Sequence, residues 1–239
     1  MSLFRFKQFS VAQERCAMKI GTDSTLLGAW AKIEDASHIL DIGTGSGVLA
    51  LMSAQRNQVA MIQAVEYEAQ AFLQAQENIS NSPWTNRIQL YHQAIQDFDS
   101  EQYFDAIISN PPFYPIDSHL QSSDPNRKLA RSTQSLGFKA LLEAVARLLC
   151  PINGIFSIIL PIEIMPTFIT MAEDQGLKLY AKTTVIPRTE KAANRVLMAF
   201  SIQKRPYQTD TISIRKEGSE HHNYTEEFRT LLKDFLIIF

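Results

Sequence analysis

From position 38 to position 160 the chain alternates short apolar runs with stretches of helical spacing, and that alternation restricts the fold more than any other feature. The runs 38–42, 61–65, 88–92, 104–109 and 155–160 are brief and read as strands, and 104–109, apolar and rich in β-branched residues, has the pattern of one that is fully buried. Between and after them, 48–56, 69–79, 138–149 and a stretch centred on 168–173 carry apolar residues at helical intervals. Strand–helix repeats of this kind give parallel strands with helices on both faces, so the expected fold is α/β, a doubly wound, mostly parallel sheet. Two longer runs, 179–186 and 195–203, are joined by 187–194, too short for a crossover helix, which predicts an antiparallel pair.

The flanks are read the same way. Thr22 or Asp23 is placed to cap a helix over 24–31. A strand at 211–215 precedes a terminal helix from Thr225, whose Glu226 and Glu227 suit its positive end. Segment 117–134 is polar and without period, which predicts a long functional loop. The expected organisation is one domain over 1–239: a covering segment 1–32, a core 33–205, and a C-terminal strand and helix 206–239.

Composition bounds the function. The longest uncharged stretch, 148–162, is broken by Pro151 and Gly154 and is too short to span a bilayer. The start of the chain lacks the apolar core of a signal peptide, so the expected address is the cytoplasm. Cys16, Cys150 and the five histidines show no ligand spacing, and no metal site is expected. A net charge of −2 announces no global basic field. Locally, seven basic residues between Lys178 and Arg205 face one acid, Glu190, and Arg127, Lys128, Arg131 and Lys139 form an acid-free cluster. Two such clusters point to a phosphate-bearing partner.

In a doubly wound sheet, ligands bind beyond the carboxyl ends of the strands. Three features fall there. Gly43, Gly45 and Gly47 follow the first core strand and let backbone approach a ligand. Glu66 ends the second, where a carboxylate accepts both hydroxyls of a ribose. Asn110-Pro111-Pro112-Phe113 ends the fourth; the two prolines forbid further ladder or helix and leave a rigid elbow presenting an amide, carbonyls and an aromatic face. Asp41, just before the glycines, would repel a pyrophosphate and attract a cationic amino group. That favours S-adenosylmethionine over a nicotinamide dinucleotide; the alternative is that Asp41 caps the turn.

The glycine loop and the Asn-Pro-Pro-Phe elbow, on the first and fourth core strands, resemble the class I S-adenosylmethionine-dependent amino methyltransferases. The wider resemblance, over nearly the whole chain, is to the bacterial tRNA1(Val) adenine-N6 methyltransferase family. It is carried by Phe6-Lys7-Gln8-Phe9, by 15–23, by Leu26-Leu27-Gly28-Ala29-Trp30, by Ala75-Gln76-Glu77-Asn78-Ile79, by Ser82-Pro83-Trp84, by 195–200 and by Asn223-Tyr224. The resemblance implies methylation of the adenine immediately 3′ of the anticodon, with tRNA as partner. It also implies that Asp41, Gly43, Gly45 and Gly47 line the methionine part of the cofactor and that Glu66 holds the ribose. Lys19, Thr22 and Asp23 would cover the site. Where the family has an acid for the cofactor's adenine, this chain has Ala94; Gln93, Asp97 or a backbone carbonyl is then the expected substitute.

Asn110 Oδ1 and the Pro111 carbonyl would accept the two N–H groups of the adenine amine, with Phe113 stacking on the base. Arg127, Lys128 and Arg131 would hold flanking phosphates, and Arg188, Lys191 and Arg195 the anticodon stem. Rival substrates for the same motif are rRNA guanine and release-factor glutamine; a non-catalytic RNA-binding protein of this fold is the rival from another class.

Overall fold

The structure, a computed structural model, describes residues 3–112, 125–218 and 223–239, with backbone alone over 125–136. A two-stranded antiparallel hairpin, β1 (Leu3–Arg5) and β2 (Ser10–Ala12), precedes α1 (Thr22–Trp30). Then follow β3 (His38–Ile42), α2 (Val48–Arg56), β4 (Met61–Glu66), α3 (Ala69–Ser80), β5 (Ile88–His92), β6 (Ala106–Ser109) and α4 (Pro125–Leu148). The chain closes with β7 (Ile155–Pro161), α5 (Met165–Asp174), β8 (Lys178–Arg188), β9 (Arg195–Ser201), β10 (Gln208–Arg215) and α6 (Glu226–Leu232).

Eight strands form the main sheet in the order β10-β8-β9-β7-β6-β3-β4-β5. Only β9 runs against the others: it pairs antiparallel with both β7 and β8, whereas every other pairing is parallel. The reversed strand therefore sits inside the sheet, and β8 and β10 point their carboxyl ends to the same edge as β3, β4 and β6. Strand alternation feeds two cores. Ile159, Leu197 and Ala199 join the core under α1, α2 and α6. Phe156, Ile158, Leu160, Val196, Met198 and Phe200 join the opposite core under α4 and α5.

Three local expectations are corrected. The cap of α1 is Gly21 in extended backbone, with the Ser24 hydroxyl donating to the Gly21 carbonyl at 3.0 Å; Thr22 and Asp23 lie in the first turn. Helix α4 runs from Pro125, so helix replaces the second half of the expected 117–134 loop; proline suits a helix's first turn because its missing N–H needs no partner there. The first strand pair, β1 and β2, was not foreseen, because three-residue strands carry too little period to register. This hairpin is tied to the far end of the chain: the Lys7 N–H donates to the Phe235 carbonyl at 2.8 Å, and Phe6 bridges to Leu236.

Candidate active site

The loop after β3 folds over the neighbouring strand. The N–H groups of Gly43 and Thr44 both donate to the Val65 carbonyl, at 2.9 and 3.1 Å, and the Gly47 N–H donates to the Thr44 carbonyl at 2.9 Å. Gly43, Gly45 and Gly47 have φ of 70°, 58° and 83°, a region that costs other residues energy. A Cβ on Gly43 or Gly45 would meet no atom within 4 Å, so it is the backbone conformation that requires glycine, and the loop faces open space.

Asp41 lies beneath this loop, fully buried, on the α2 side of the sheet. Its Oδ2 accepts from the Thr44 hydroxyl at 2.5 Å and from the Ala50 N–H at 3.0 Å, fixing the loop to the first turn of α2. Its Oδ1 is buried with no hydrogen-bond partner among the described residues. Burial pushes its pKa up to about 7, against the two hydrogen bonds, and the nearby Glu66 charge adds to the rise. Asp41 thus both caps the turn and keeps an uncompensated acceptor under the glycines. It does not line the cavity in front of them.

Glu66 is buried at the end of β4, and its carboxylate takes one N–H on each oxygen: Gly45 on Oε2 at 2.8 Å and Glu68 on Oε1 at 2.9 Å. A cavity of about 490 Å³ opens beside it, walled by Gly43, Tyr67, Ala94, Ile95, Pro111 and Phe138 among others. Gln93 lines it as well, held by its N–H donating to the Glu66 carbonyl at 3.0 Å. Asp97 does not: its N–H donates to the Ala94 carbonyl and its side chain is exposed beyond the wall. With alanine at 94, this end of the cavity carries no acid and is lined by Gln93, Ala94, Ile95 and Gln96.

On the other side of Gly43, a smaller recess of about 70 Å³ is lined by Lys19, Ser24, Gly45, Ser46 and Asn110. Lys19 reaches it from the N-terminal segment and anchors that segment through Nζ, which donates to the Gln13 carbonyl at 2.5 Å. The elbow is pinned to β3 by the Ser109 hydroxyl, which donates to the Ile42 carbonyl at 2.9 Å. Asn110, next in the chain, places Oδ1 in a buried position with no hydrogen-bond partner among the described residues. Pro111 and Pro112 wall the larger cavity, so the elbow touches both compartments. Phe113 lies outside the described residues.

Remaining candidates separate. Thr22 faces away from the recess into a groove on the far side of α1. Asp23 Oδ2 accepts from Arg195 Nε at 2.8 Å, both side chains about a quarter exposed, which ties α1 to β9. Arg195 is therefore committed within the protein. Arg188 donates to the Gly218 carbonyl at 3.0 Å at the end of β8, and Lys191 is exposed in the turn after it, on the edge of the sheet that carries Asn110. Arg127, Lys128 and Arg131 fall on α4 where the described structure is backbone only.

Sequence reading assigned no role to Tyr67, Ile95, Phe138 or Asn78. Asn78, on the buried face of α3, is the one with a legible signal, since a polar residue at a core position needs partners. Its Nδ2 donates to the Ala12 and Ser46 carbonyls, both at 2.8 Å, and its Oδ1 accepts from the Ala12 N–H at 2.9 Å. It fastens the N-terminal hairpin to the glycine loop.

The observations fit a cationic, nucleoside-bearing ligand: open glycine backbone, a buried carboxylate oxygen beneath it with no partner among the described residues, Glu66 buried at the end of β4, and a largely apolar cavity beyond. The fold is that of the class I methyltransferases. A crystal structure of an Agrobacterium tumefaciens protein described as a predicted O-methyltransferase superposes with a TM-score of 0.68 at 18% identity, covering 89% of this chain and 96% of that one. A model of the methyltransferase small domain matches residues 16–136. A Dyadobacter fermentans protein named tRNA1(Val) (adenine(37)-N6)-methyltransferase is 45% identical over 99% of this chain and 98% of its own length. A Pseudoalteromonas translucida protein of the same name is 41% identical over 99% of both. The chain belongs to the methyltransferase small-domain family and, within it, to the tRNA1(Val) (adenine(37)-N6)-methyltransferases.

Proposed function

We propose that this chain transfers a methyl group from S-adenosylmethionine to the N6 amine of an adenine in tRNA, at position 37 beside the anticodon of tRNA1(Val). The observation that carries the chemistry is Asn110 Oδ1: a buried amide oxygen with no partner among the described residues, at the junction of the two compartments. Such an oxygen costs free energy unless a donor arrives, and an exocyclic amine is the donor that fits. The relatives' names support tRNA and the position.

Glu66 holds the ribose hydroxyls, and the Tyr67, Ile95 and Phe138 walls take the cofactor's adenine, with no acid at 94. Gly43 and Gly45 let the methionine part lie against backbone. The uncompensated Asp41 carboxylate beneath favours its positive charge. When bound, S-adenosylmethionine supplies an electrophilic methyl on a sulfonium, a good leaving group. An adenine amine is a weak nucleophile because its lone pair is spread into the ring. Asn110 Oδ1 and the Pro111 carbonyl accept its two protons' hydrogen bonds, which favours pyramidal nitrogen and aligns the lone pair. Alignment supplies most of the acceleration. Phe113 would stack on the base, and the loop adenine is already single-stranded, so splaying it out costs little. Arg127, Lys128 and Arg131, following the elbow in sequence, are proposed to hold flanking phosphates, with Arg188 and Lys191 on the stem. A tRNA substrate sets the work in the cytoplasm.

The test is radiolabelled methyl transfer to a panel of unmodified tRNAs with nucleoside analysis. The expected product is N6-methyladenosine in tRNA1(Val). Label in rRNA or protein alone would overturn the reading.

A further inference from the structure

The N-terminal hairpin, the start of α1, the end of β10 and the last residues of the chain enclose a groove of about 590 Å³. Its walls are aromatic and aliphatic, including Phe4, Ile214, Tyr224 and Phe228, and its rim exposes Leu3, Ile237 and Ile238. Two guanidinium groups, Arg5 and Arg215, line it, and no aspartate or glutamate does. Arg215 lies over the Tyr224 ring at 5.2 Å, and that ring stacks on Phe228 at 5.2 Å and 17°. Neither arginine makes a side-chain hydrogen bond or ion pair among the described residues, in contrast to Arg195 with Asp23.

Apolar aromatic walls joined to two uncompensated, planar, phosphate-matching cations suit one class of ligand: a flat ring carrying a phosphate. Position argues for the same partner as the active site. Ile20 lines both this groove and the recess that holds Asn110, so the two are separated by one side chain. Arg215 ends β10, paired with Arg188 at the carboxyl edge of the sheet.

We propose that this groove is a second nucleotide subsite, taking a base and phosphate of the RNA strand that flanks the target adenine. The inference rests on the reading that the chain acts on RNA. It makes the two chain ends, which meet only in the fold, part of substrate selection.

The test is equilibrium binding of unmodified tRNA over a salt titration, comparing the wild type with Arg5→Gln/Arg215→Gln. The control is Lys178→Gln/Lys204→Gln, the same charge change at the opposite edge of the sheet. The groove variant should bind about tenfold or more weakly at 0.1 M salt, with a log K against log salt slope shallower by about 1.4, two phosphates at roughly 0.7 each. Its S-adenosylmethionine affinity should match the wild type, which reports an intact fold. A groove variant indistinguishable from the control overturns the proposal. So does a wild-type dimer that Ile237→Glu dissociates while tRNA binding is unchanged, which would give the groove to a second copy. If the wild type binds tRNA through the groove but methylates no adenine, the activity reading fails and the subsite stands.

Discussion

The two compartments flanking Ile20 are built in opposite ways. The glycine-loop side is made of contiguous motifs at the ends of β3, β4 and β6, each cross-linked to its neighbour: Gly43 and Thr44 to Val65, Gly45 to Glu66, Ser109 to Ile42. The groove on the other side is assembled from residues more than two hundred positions apart, with Phe4 and Arg5 beside Arg215 and Tyr224. Among the described residues, both leave polar groups without hydrogen-bond partners. On the glycine-loop side these are buried oxygens, Asp41 Oδ1 and Asn110 Oδ1; in the groove they are guanidinium groups. On the proposed reading, the first compartment offers acceptor groups to a cation and an amine, and the groove offers positive groups to a strand of phosphates.

Substitutions can break that contrast from either side. Gly45→Val should act most strongly on cofactor affinity. A β-branched residue at φ 58° costs about 1–3 kcal/mol and displaces the N–H that Glu66 accepts, so cofactor affinity by calorimetry should fall by about a hundredfold. Asp41→Asn should separate stability from binding. With its native pKa raised from 3.8 to about 7, Asp41 costs nothing below pH 4; the cost grows as pH rises to 7 and then holds at about 4 kcal/mol. The ligand-free asparagine variant should therefore melt above the wild type at pH 8, with the advantage vanishing towards pH 4, while its cofactor affinity drops. By the same linkage, wild-type cofactor affinity should weaken as pH falls below 7. A variant with unchanged melting at pH 8 would remove Asp41's strain from the account.

Smaller effects probe the seams. Asn78→Ala leaves the Ala12 N–H and two carbonyls unpaired and should cost about 3 kcal/mol in denaturant unfolding. It should also weaken cofactor binding, because the hairpin is released from the glycine loop. Arg195→Ala breaks a partly exposed pair and should cost under about 1 kcal/mol. Since that guanidinium is already neutralised by Asp23, the salt slope of tRNA binding should not move, unlike the slope of the Arg5/Arg215 variant.

The same contrast explains what was legible in the sequence. The β3–β4–β6 side was readable because each motif is local: the glycines, Glu66 and the Asn-Pro-Pro elbow each announce a strand end, and parallel strand order places those ends together. The pairing of Arg195 with Asp23 was not legible, because the two lie 172 residues apart. Charge alone set Asp41 facing a cation; alternation along β3 sends its side chain to the α2 face under the loop, where it caps the turn, the alternative the sequence left open. The groove was invisible, since neither Arg5 nor Arg215 stands in a motif. Even β9's position inside the sheet, rather than at an edge, is set by which strands pair and not by the spacing of their residues.

If Asn110 Oδ1 accepts from the substrate amine, single-turnover methyl transfer to tRNA1(Val) by Asn110→Ala reads it most directly. The rate should be lower by about three orders of magnitude, the scale for losing one preorganised hydrogen-bonding group at the reacting centre. S-adenosylmethionine affinity, measured on the same protein, should stay within a few fold of the wild type. A variant that transfers methyl groups at the wild-type rate would contradict it.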